Sequence, residues 1–538
     1  MDIEESCRKH ALKNAADYGK ADARFVIGKV LGEHPDAKAD YKKTSALVDA
    51  VVNAVNALPA AEVARELEGF VFEKKTQREG LPPSPISPAI TRIAPNPSGM
   101  LHIGHARAIV LNDEYARTTN GKFFVRLEDT DPKTKKPLPE AYERIPRDIK
   151  WLGCNIAEIV VQSDRLETYY EYARRLLEEG NAFVCDCPIE EMHSLKEQGK
   201  ACPCRARPPA EQLARWERMF DGYPEGGAVM RVKTDYAHEN ASIRDWPAFR
   251  IVTGEHPRKP GARVWPLYNF ACPIDDHLFG INLVIRGKEH ELNAVKQAFV
   301  YDYLNWPQPT FLEYGLVKVP GLLSHKSEIL EGIRSGEYSG WDDVRLPTLA
   351  ALRRRGIQPQ AIRNYMLSLG VKRVDSQLDW NKLYHANKDL IDASTQRRFF
   401  VEDPVCVKLA FDAPASVELS NHPSGALGKR SVAVASEVFV SRRDFDAFHG
   451  KTVRLKDLAN VVLSENCESA GNEIVQSMPK LQWVSHGTPV RILKPDGTIA
   501  SGLVEPSCSA LKIGEVVQFE RVGYCRLDSP GEYWFGHE

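Results

Sequence analysis

At 538 residues, 43% hydrophobic and 27% charged, the chain is too long for one hydrophobic core and, at about 150 residues per domain, divides into roughly three or four. This balance excludes a disordered or fibrous protein, and a formal net charge of -2 argues against a broadly basic nucleic-acid binder, so any RNA surface must be local. There is no run of about 18 apolar residues for a membrane span and no secretory pattern in Met1-Asp2-Ile3-Glu4-Glu5, so the expected setting is the cytoplasm, with reduced cysteines and no membrane partner.

Residues 1–80 read as a helical region, with Leu47, Val51, Val55 and Leu58 at helical spacing behind Thr44 or Ser45 as the N-cap. Residues 81–88 hold too many prolines for regular structure and form a linker. From Ala89 a short apolar strand runs into a Pro/Gly turn and then a helical segment through His105, and a second strand follows over Lys122–Asp129. Strand, turn, helix and strand at this spacing open a parallel α/β sheet with a right-handed crossover. The basic runs Lys133-Thr-Lys-Lys136 and Arg353-Arg-Arg355 read as solvated faces. After about residue 395, short alternating segments separated by Gly, Asp and Pro predict an all-β, barrel-like C-terminal region.

The chemistry concentrates in Pro95, Asn96, Pro97, Ser98, Gly99, Met100, Leu101, His102, Ile103, Gly104 and His105, where the first strand hands over to its helix. The free N–H groups and the positive dipole end of that helix suit a triphosphate. Gly104 lets a nucleotide base approach the backbone, and His102 and His105 can hydrogen-bond phosphate oxygens as charge builds.

This segment resembles the HIGH signature of class I aminoacyl-tRNA synthetases. Arg126-Leu-Glu-Asp-Thr-Asp-Pro132, Val264-Trp-Pro-Leu-Tyr-Asn-Phe-Ala, Asp275-Asp-His-Leu, Val284-Ile-Arg-Gly-Lys-Glu-His290 and Gly336-Glu-Tyr-Ser-Gly-Trp-Asp-Asp343 extend the resemblance across nearly the whole chain, to glutamyl-tRNA synthetases of the archaeal and eukaryotic type. It implies a multidomain α/β protein: a Rossmann-like parallel-sheet catalytic domain over 89–180 and 261–340, interrupted by an α+β acceptor-binding insertion at 181–260. An N-terminal helical region precedes it; a helical stem-contact region at 341–395 and anticodon-binding β-barrels at 396–538 follow. The implied partners are L-glutamate, ATP with Mg2+, and tRNA(Glu), with tRNA(Gln) a second acceptor in non-discriminating members.

A substrate with two carboxylates and one ammonium needs fixed cations for the former and a carboxylate for the latter. Matched to the family pattern, Arg92 and Arg286 hold carboxylates, Glu128 holds the ammonium, Tyr268 supports the side-chain end and Ala94 lies beside them. Arg286 also separates glutamate from glutamine, because a buried guanidinium facing a neutral amide loses about 1.5–3 kcal/mol. The sister glutaminyl family lacks an arginine there. The implied reaction is in-line attack of the α-carboxylate on the α-phosphorus of ATP, then transfer of the glutamyl group to the terminal ribose hydroxyl of tRNA. It needs positioning and charge stabilisation but no covalent enzyme intermediate.

The second class I signature, a lysine loop for the leaving diphosphate, falls on Gly321-Leu-Leu-Ser-His-Lys-Ser-Glu-Ile329. It departs from the family pattern, with His325 between Ser324 and Lys326; Lys326 is the candidate, and this irregularity is the one feature favouring a non-catalytic RNA-binding relative. Independently, Cys185-Asp-Cys187 and Cys202-Pro-Cys204 offer four thiolates for a structural tetrahedral Zn2+. Cys272 reads as an ordinary packing residue.

Overall fold

The computed structural model describes residues 2–70, 81–320 and 326–538, with only the backbone of Lys326 and Ser327. The chain divides into two compact units, Met1–Glu79 and Gly80–Glu538. The first consists of α1 (Ile3–Tyr18), α2 (Ala23–Glu33), α3 (Tyr41–Asn56) and α4 (Ala60–Leu67). Val48, Val51, Val52 and Val55 of α3 bury one stripe against Val26, Val30, Ala11 and Leu12. The N-cap of α3 is Asp40, which accepts from Lys43 N, rather than Thr44 or Ser45. Thr44 instead lies inside the first turn, buried, and donates to the carbonyls of Ala37 and Asp40.

In the second unit, residues 81–89 carry no helix or strand before β1 (Ile90–Ile93). β1 pairs in parallel with β2 (Lys122–Leu127), and β2 with β3 (Ile156–Val161). α5 (Ile103–Thr118) and α6 (Ala141–Trp151) form the crossovers, and α7 (Leu166–Glu178) follows. β2 is buried at every residue after Lys122, as expected of a central parallel strand covered on both faces.

The insertion is an antiparallel sheet of β4 (Ala182–Cys185), β5 (Val229–Val232), β6 (Pro247–Ile251) and β7 (Val264–Pro266), with α8 (Ile189–Glu197) and α9 (Pro209–Asp221). Trp216, Trp246, Phe249 and Trp265 form its buried centre. The chain returns through α10 (Tyr268–Leu278), β8 (Leu283–Gly287), α11 (Glu291–Tyr303) and β9 (Thr310–Tyr314), with β8 and β9 parallel. Asn282 joins this pair to β1: its N–H donates to Ile90 O at 3.1 Å and its Oδ1 accepts from Ile90 N at 2.8 Å. The spatial order is therefore β3-β2-β1-β8-β9, and the direction of winding reverses between β1 and β8.

Beyond them lie α12 (Lys326–Ser335), α13 (Leu349–Arg354), α14 (Pro359–Leu369) and α15 (Trp380–Ile391), then a seven-stranded sheet, a six-stranded sheet and an antiparallel pair, Ser416–Ser420 with Lys429–Ala433. In the seven-stranded sheet the outermost strands, Arg397–Arg398 and Phe400–Glu402, are consecutive in the chain, so it curls back to meet itself around Phe399. The six-stranded sheet nearly closes through a bridge between Phe439 and Val484. Arg353, Arg354 and Arg355 do not form a solvated face. Arg353 pairs with Asp148 and Arg354 with Asp528, while Arg355 donates to the carbonyls of Phe535 and Gly536, so the run joins catalytic domain, α13 and terminal strands. Lys133 and Lys136 remain exposed, each paired with a glutamate.

Candidate active site

Ligands of open parallel sheets bind beyond the carboxyl ends of the strands where the winding reverses. Arg92 is the penultimate residue of β1, Arg286 the penultimate residue of β8, Glu128 the first residue after β2, and α5 begins just past β1. The sheet thus gathers Arg92, Glu128, Arg286 and the histidine segment at one edge.

The start of α5 is held by a reciprocal cap. His102 Nδ1 accepts from Gly104 N at 3.1 Å, and His105 Nδ1 accepts from His102 N at 3.1 Å, with the rings 3.8 Å apart. An imidazole nitrogen that accepts from a backbone N–H carries no proton, so in the neutral ring the proton sits on Nε2. The same bonds that stabilise the helix terminus therefore make both histidines Nε2 donors. A Cβ on Gly104 would come within 2.9 Å of the His102 ring, so this glycine is needed by the cap itself.

The turn before the helix is stitched to the β2 end. Glu128 N donates to Pro95 O, Asn96 Nδ2 donates to Glu128 O, Asn96 Oδ1 accepts from Ser98 N, and Leu138 N donates to Pro97 O. Pro97 and Gly99 are buried. On the other side, Ile103 N donates to Pro347 O and Leu349 N to Leu101 O. Residues 321–325 of the lysine loop lie outside the described residues; Lys326 starts α12, and its side chain is likewise outside them.

The candidate amino-acid pocket is a network of buried charge. Arg92 donates through Nε and Nη2 to the two oxygens of Asp276 at 3.1 and 3.0 Å, and Arg126 Nη1 donates to Asp276 at 2.6 Å. The two guanidiniums hold the Asp276 carboxyl well below the usual carboxylate range against the opposing effect of burial. Arg126 also reaches Glu128 at 3.2 Å. Burial raises Glu128 above its ordinary value in spite of Arg126 and Arg92. Cys272 is not ordinary packing: its Sγ lies 3.0 Å from Arg126 Nη2 and 3.5 Å from Arg92 Nη2, and burial pushes its thiol up to about 11. Tyr268 heads α10, half-buried within the electrostatic reach of Arg92, Glu128 and Arg286, and its phenol is raised by burial. Ala94 follows β1, half-buried.

Arg286 differs from Arg92 in having no acidic partner among the described residues. It is 5% exposed; Nη1 donates to Gln297 Oε1 at 3.2 Å and the guanidinium lies 4.7 Å from the Phe311 ring, while Nε and Nη2 are buried without a protein partner. A charged donor left so is costly unless a ligand satisfies it. The residues that sequence reasoning missed here are Arg126, Asp276 and Gln297. Only the position of Arg126 and Asp276 inside the Arg-Leu-Glu-Asp and Asp-Asp-His-Leu stretches could have signalled two of them.

In the insertion, the sulfurs of Cys185 and Cys202 lie 3.7 Å apart and those of Cys187 and Cys204 3.6 Å apart, with all four within 4.8 Å of one another. A disulfide needs about 2.05 Å; thiolates about 2.3 Å from a shared tetrahedral ion stand about 3.8 Å apart. The pairs Cys185–Cys202 and Cys187–Cys204 have the second spacing. The hydrogen bond with Cys202 holds the Cys185 thiol below its ordinary value.

Residues 89–393 match the family of class I tRNA synthetases (E and Q), catalytic domain; residues 395–481 and 480–528 match two anti-codon binding domains of the same class. The glutamate--tRNA ligase of Thermococcus onnurineus (strain NA1) is 41% identical, covering 98% of each chain. That of Thermococcus kodakarensis is 42% identical over 98% of this chain and 97% of its own, and that of Methanothermobacter marburgensis 41% identical over 100% of both. With the strand-end cation pocket, the capped histidine helix and this full-length similarity together, the chain belongs to the class I tRNA synthetases for glutamate and glutamine and, among them, to the glutamate--tRNA ligases.

Proposed function

We infer that this chain activates L-glutamate with Mg2+-bound ATP and transfers it to the 3′ end of tRNA(Glu) in the cytoplasm. The single observation that carries the choice of amino acid is Arg286, a buried guanidinium with two unpartnered donors at the carboxyl end of β8. A side-chain carboxylate satisfies both donors, whereas the amide of glutamine offers a neutral oxygen and a competing donor.

Glu128 receives the substrate ammonium, and Arg92 contributes Nη1, the donor outside its pair with Asp276, to a carboxylate. Tyr268 and Ala94 complete the wall. The α5 terminus and the Nε2 protons of His102 and His105 face the triphosphate, with Asn96, Ser98 and Gly99 shaping the turn. Lys326 neutralises the departing diphosphate. Mg2+ supplies charge compensation on the phosphates; the chain's own groups orient the reactants.

The four cysteines fit a structural Zn2+: the donor set is all sulfur, the spacing matches tetrahedral edges, and four protein ligands leave no position for a reacting water. Cys185, Cys187, Cys202 and Cys204 would hold it and so brace the acceptor-binding insertion. ATP–diphosphate exchange with glutamate and with glutamine, each with and without tRNA, tests the activity. Glutamate-dependent exchange is expected; exchange driven by glutamine, or none with either, would sink it. Charging of purified tRNA(Glu) and tRNA(Gln) then decides whether the second acceptor is used.

A further inference from the structure

A guanidinium can only donate hydrogen bonds, and that fixes the direction of every bond in a chain of side chains leading away from Arg286. Arg286 Nη1 donates to Gln297 Oε1, so the Gln297 amide nitrogen must point the other way, where it donates to Asn269 Oδ1 at 3.4 Å. Asn269 in turn donates to Asn293 Oδ1 at 3.1 Å, and Asn293 donates to His290 Nδ1 at 3.0 Å. Gln297 and Asn293 lie one turn apart on α11, Asn269 is in the first turn of α10, and Arg286 is on β8, so three elements share the relay. Gln297 is 2% exposed, and a flipped amide would set its nitrogen against Arg286.

Phe311 on β9 covers the guanidinium from a second direction. Held between the ring and the Gln297 oxygen, Arg286 has Nη1 occupied, and the two donors without a partner among the described residues are Nε and Nη2. These two form one edge of the guanidinium, the edge that grips a carboxylate through two parallel bonds. Arg92 uses the same pair of atoms on Asp276.

We propose that Gln297 is the positioning residue that presents this edge of Arg286 to the substrate, and that it thereby sets the preference for glutamate over glutamine. The inference rests on Arg286 reading the substrate's side-chain carboxylate. Without an acceptor on Nη1, the guanidinium can turn to offer other donor pairs, and the geometry that distinguishes a carboxylate from an amide is lost.

The test uses the full-length chain in ATP–diphosphate exchange with tRNA present, comparing Q297M, Q297E and R286L. Q297M removes the acceptor at similar volume. The KM for glutamate should rise on the order of tenfold, with the KM for ATP within about twofold and a smaller glutamate-to-glutamine ratio of kcat/KM. Q297E keeps an acceptor on Arg286 Nη1 but loses the donor to Asn269 and adds a charge that engages Arg286 and repels a second carboxylate, so the glutamate KM should rise further. If R286L leaves the glutamate KM unchanged, the reading of Arg286 itself fails. If R286L raises it while both Gln297 variants keep the wild-type KM and ratio, or raise the ATP KM equally, Gln297 is packing alone and the proposal is overturned. Should Q297M not fold, Q297E decides, since it preserves the volume and the acceptor on Arg286 Nη1: an unchanged glutamate KM and glutamate-to-glutamine ratio in Q297E overturns the proposal.

Discussion

Among the individual residues of the pocket, Asp276 and Glu128 are both carboxylates beside Arg126, and their surroundings drive them apart. Asp276 faces two guanidiniums at hydrogen-bond distance and is held in its ionised form. Glu128 meets one guanidinium at hydrogen-bond distance among the described residues, Arg126 at 3.2 Å, so burial prevails over Arg126 and Arg92 and raises it. If Glu128 receives the substrate ammonium as proposed, that ammonium favours the ionised carboxylate, so binding lowers a value that burial had raised and releases a proton. The sign is therefore definite: glutamate affinity improves as pH rises through the raised value of free Glu128 and falls below it. The expected result is a glutamate KM that drops with rising pH on the acidic side in the wild type. In E128Q this pH dependence should vanish, with a KM higher by on the order of tenfold or more at neutral pH. A pH–KM profile for the two proteins checks it; an identical acidic limb in E128Q would assign the titration to another group. Glu128 was legible from its motif. Its raised value was not, because burial is the sum of neighbours that the local sequence does not specify.

At the level of single elements, the insertion joins a hydrophobic sheet to a cysteine cluster. Cys185 ends β4, and Cys204 lies in the turn before α9, where its carbonyl accepts from Gln212 and its sulfur contacts Arg215. A metal at the four sulfurs would tie the β4 end to this turn across 17 residues. One equivalent of zinc per chain is expected by elemental analysis. Its removal by chelation, or C202S, should cost several kcal/mol of local stability, seen as a low-temperature unfolding transition. Charging of tRNA should fall more than diphosphate exchange, because the insertion and not the β1–β8 crevice is loosened. Equal loss of both activities would mean that the cluster supports the whole catalytic unit. The helix α5 makes a complementary point. The sequence offers its histidines as candidates for phosphate contact, but their work as a reciprocal N-cap emerges only from three-dimensional geometry.

Across the second unit as a whole, the short segment from Pro347 to Gly356 connects distant parts. Its start exchanges hydrogen bonds with Leu101 and Ile103 of the histidine segment. Its end is locked to the terminal strands by Arg354, which pairs with Asp528 through two bonds of 2.8 and 2.7 Å and lies 3.8 Å from the Trp534 ring. R354M is expected to cost about 1–3 kcal/mol and to raise the KM for ATP several-fold. Calorimetry and exchange kinetics measure the two effects; an unchanged ATP KM in a destabilised protein would show that the barrel docks without influencing the ATP end. The arginine run that composition reads as solvated is the hinge of this arrangement, because its acidic and carbonyl partners come from residues as far as 205 positions away.

The sequence by itself determined the order of the elements, the strand-turn-helix that opens the sheet, the cysteine pairs and the alternating pattern of the C-terminal strands. Each of these is written within a turn of helix or a few residues of strand, where spacing alone dictates which side chains share a face. Only the tertiary structure decided that Arg92 is bound to Asp276, 184 positions along the chain, that Cys272 sits among cations, and that Arg286 keeps one open edge beside Gln297. Charge pairing and desolvation act through space, so the same arginine is neutralised or left available according to which carboxylate the fold brings beside it.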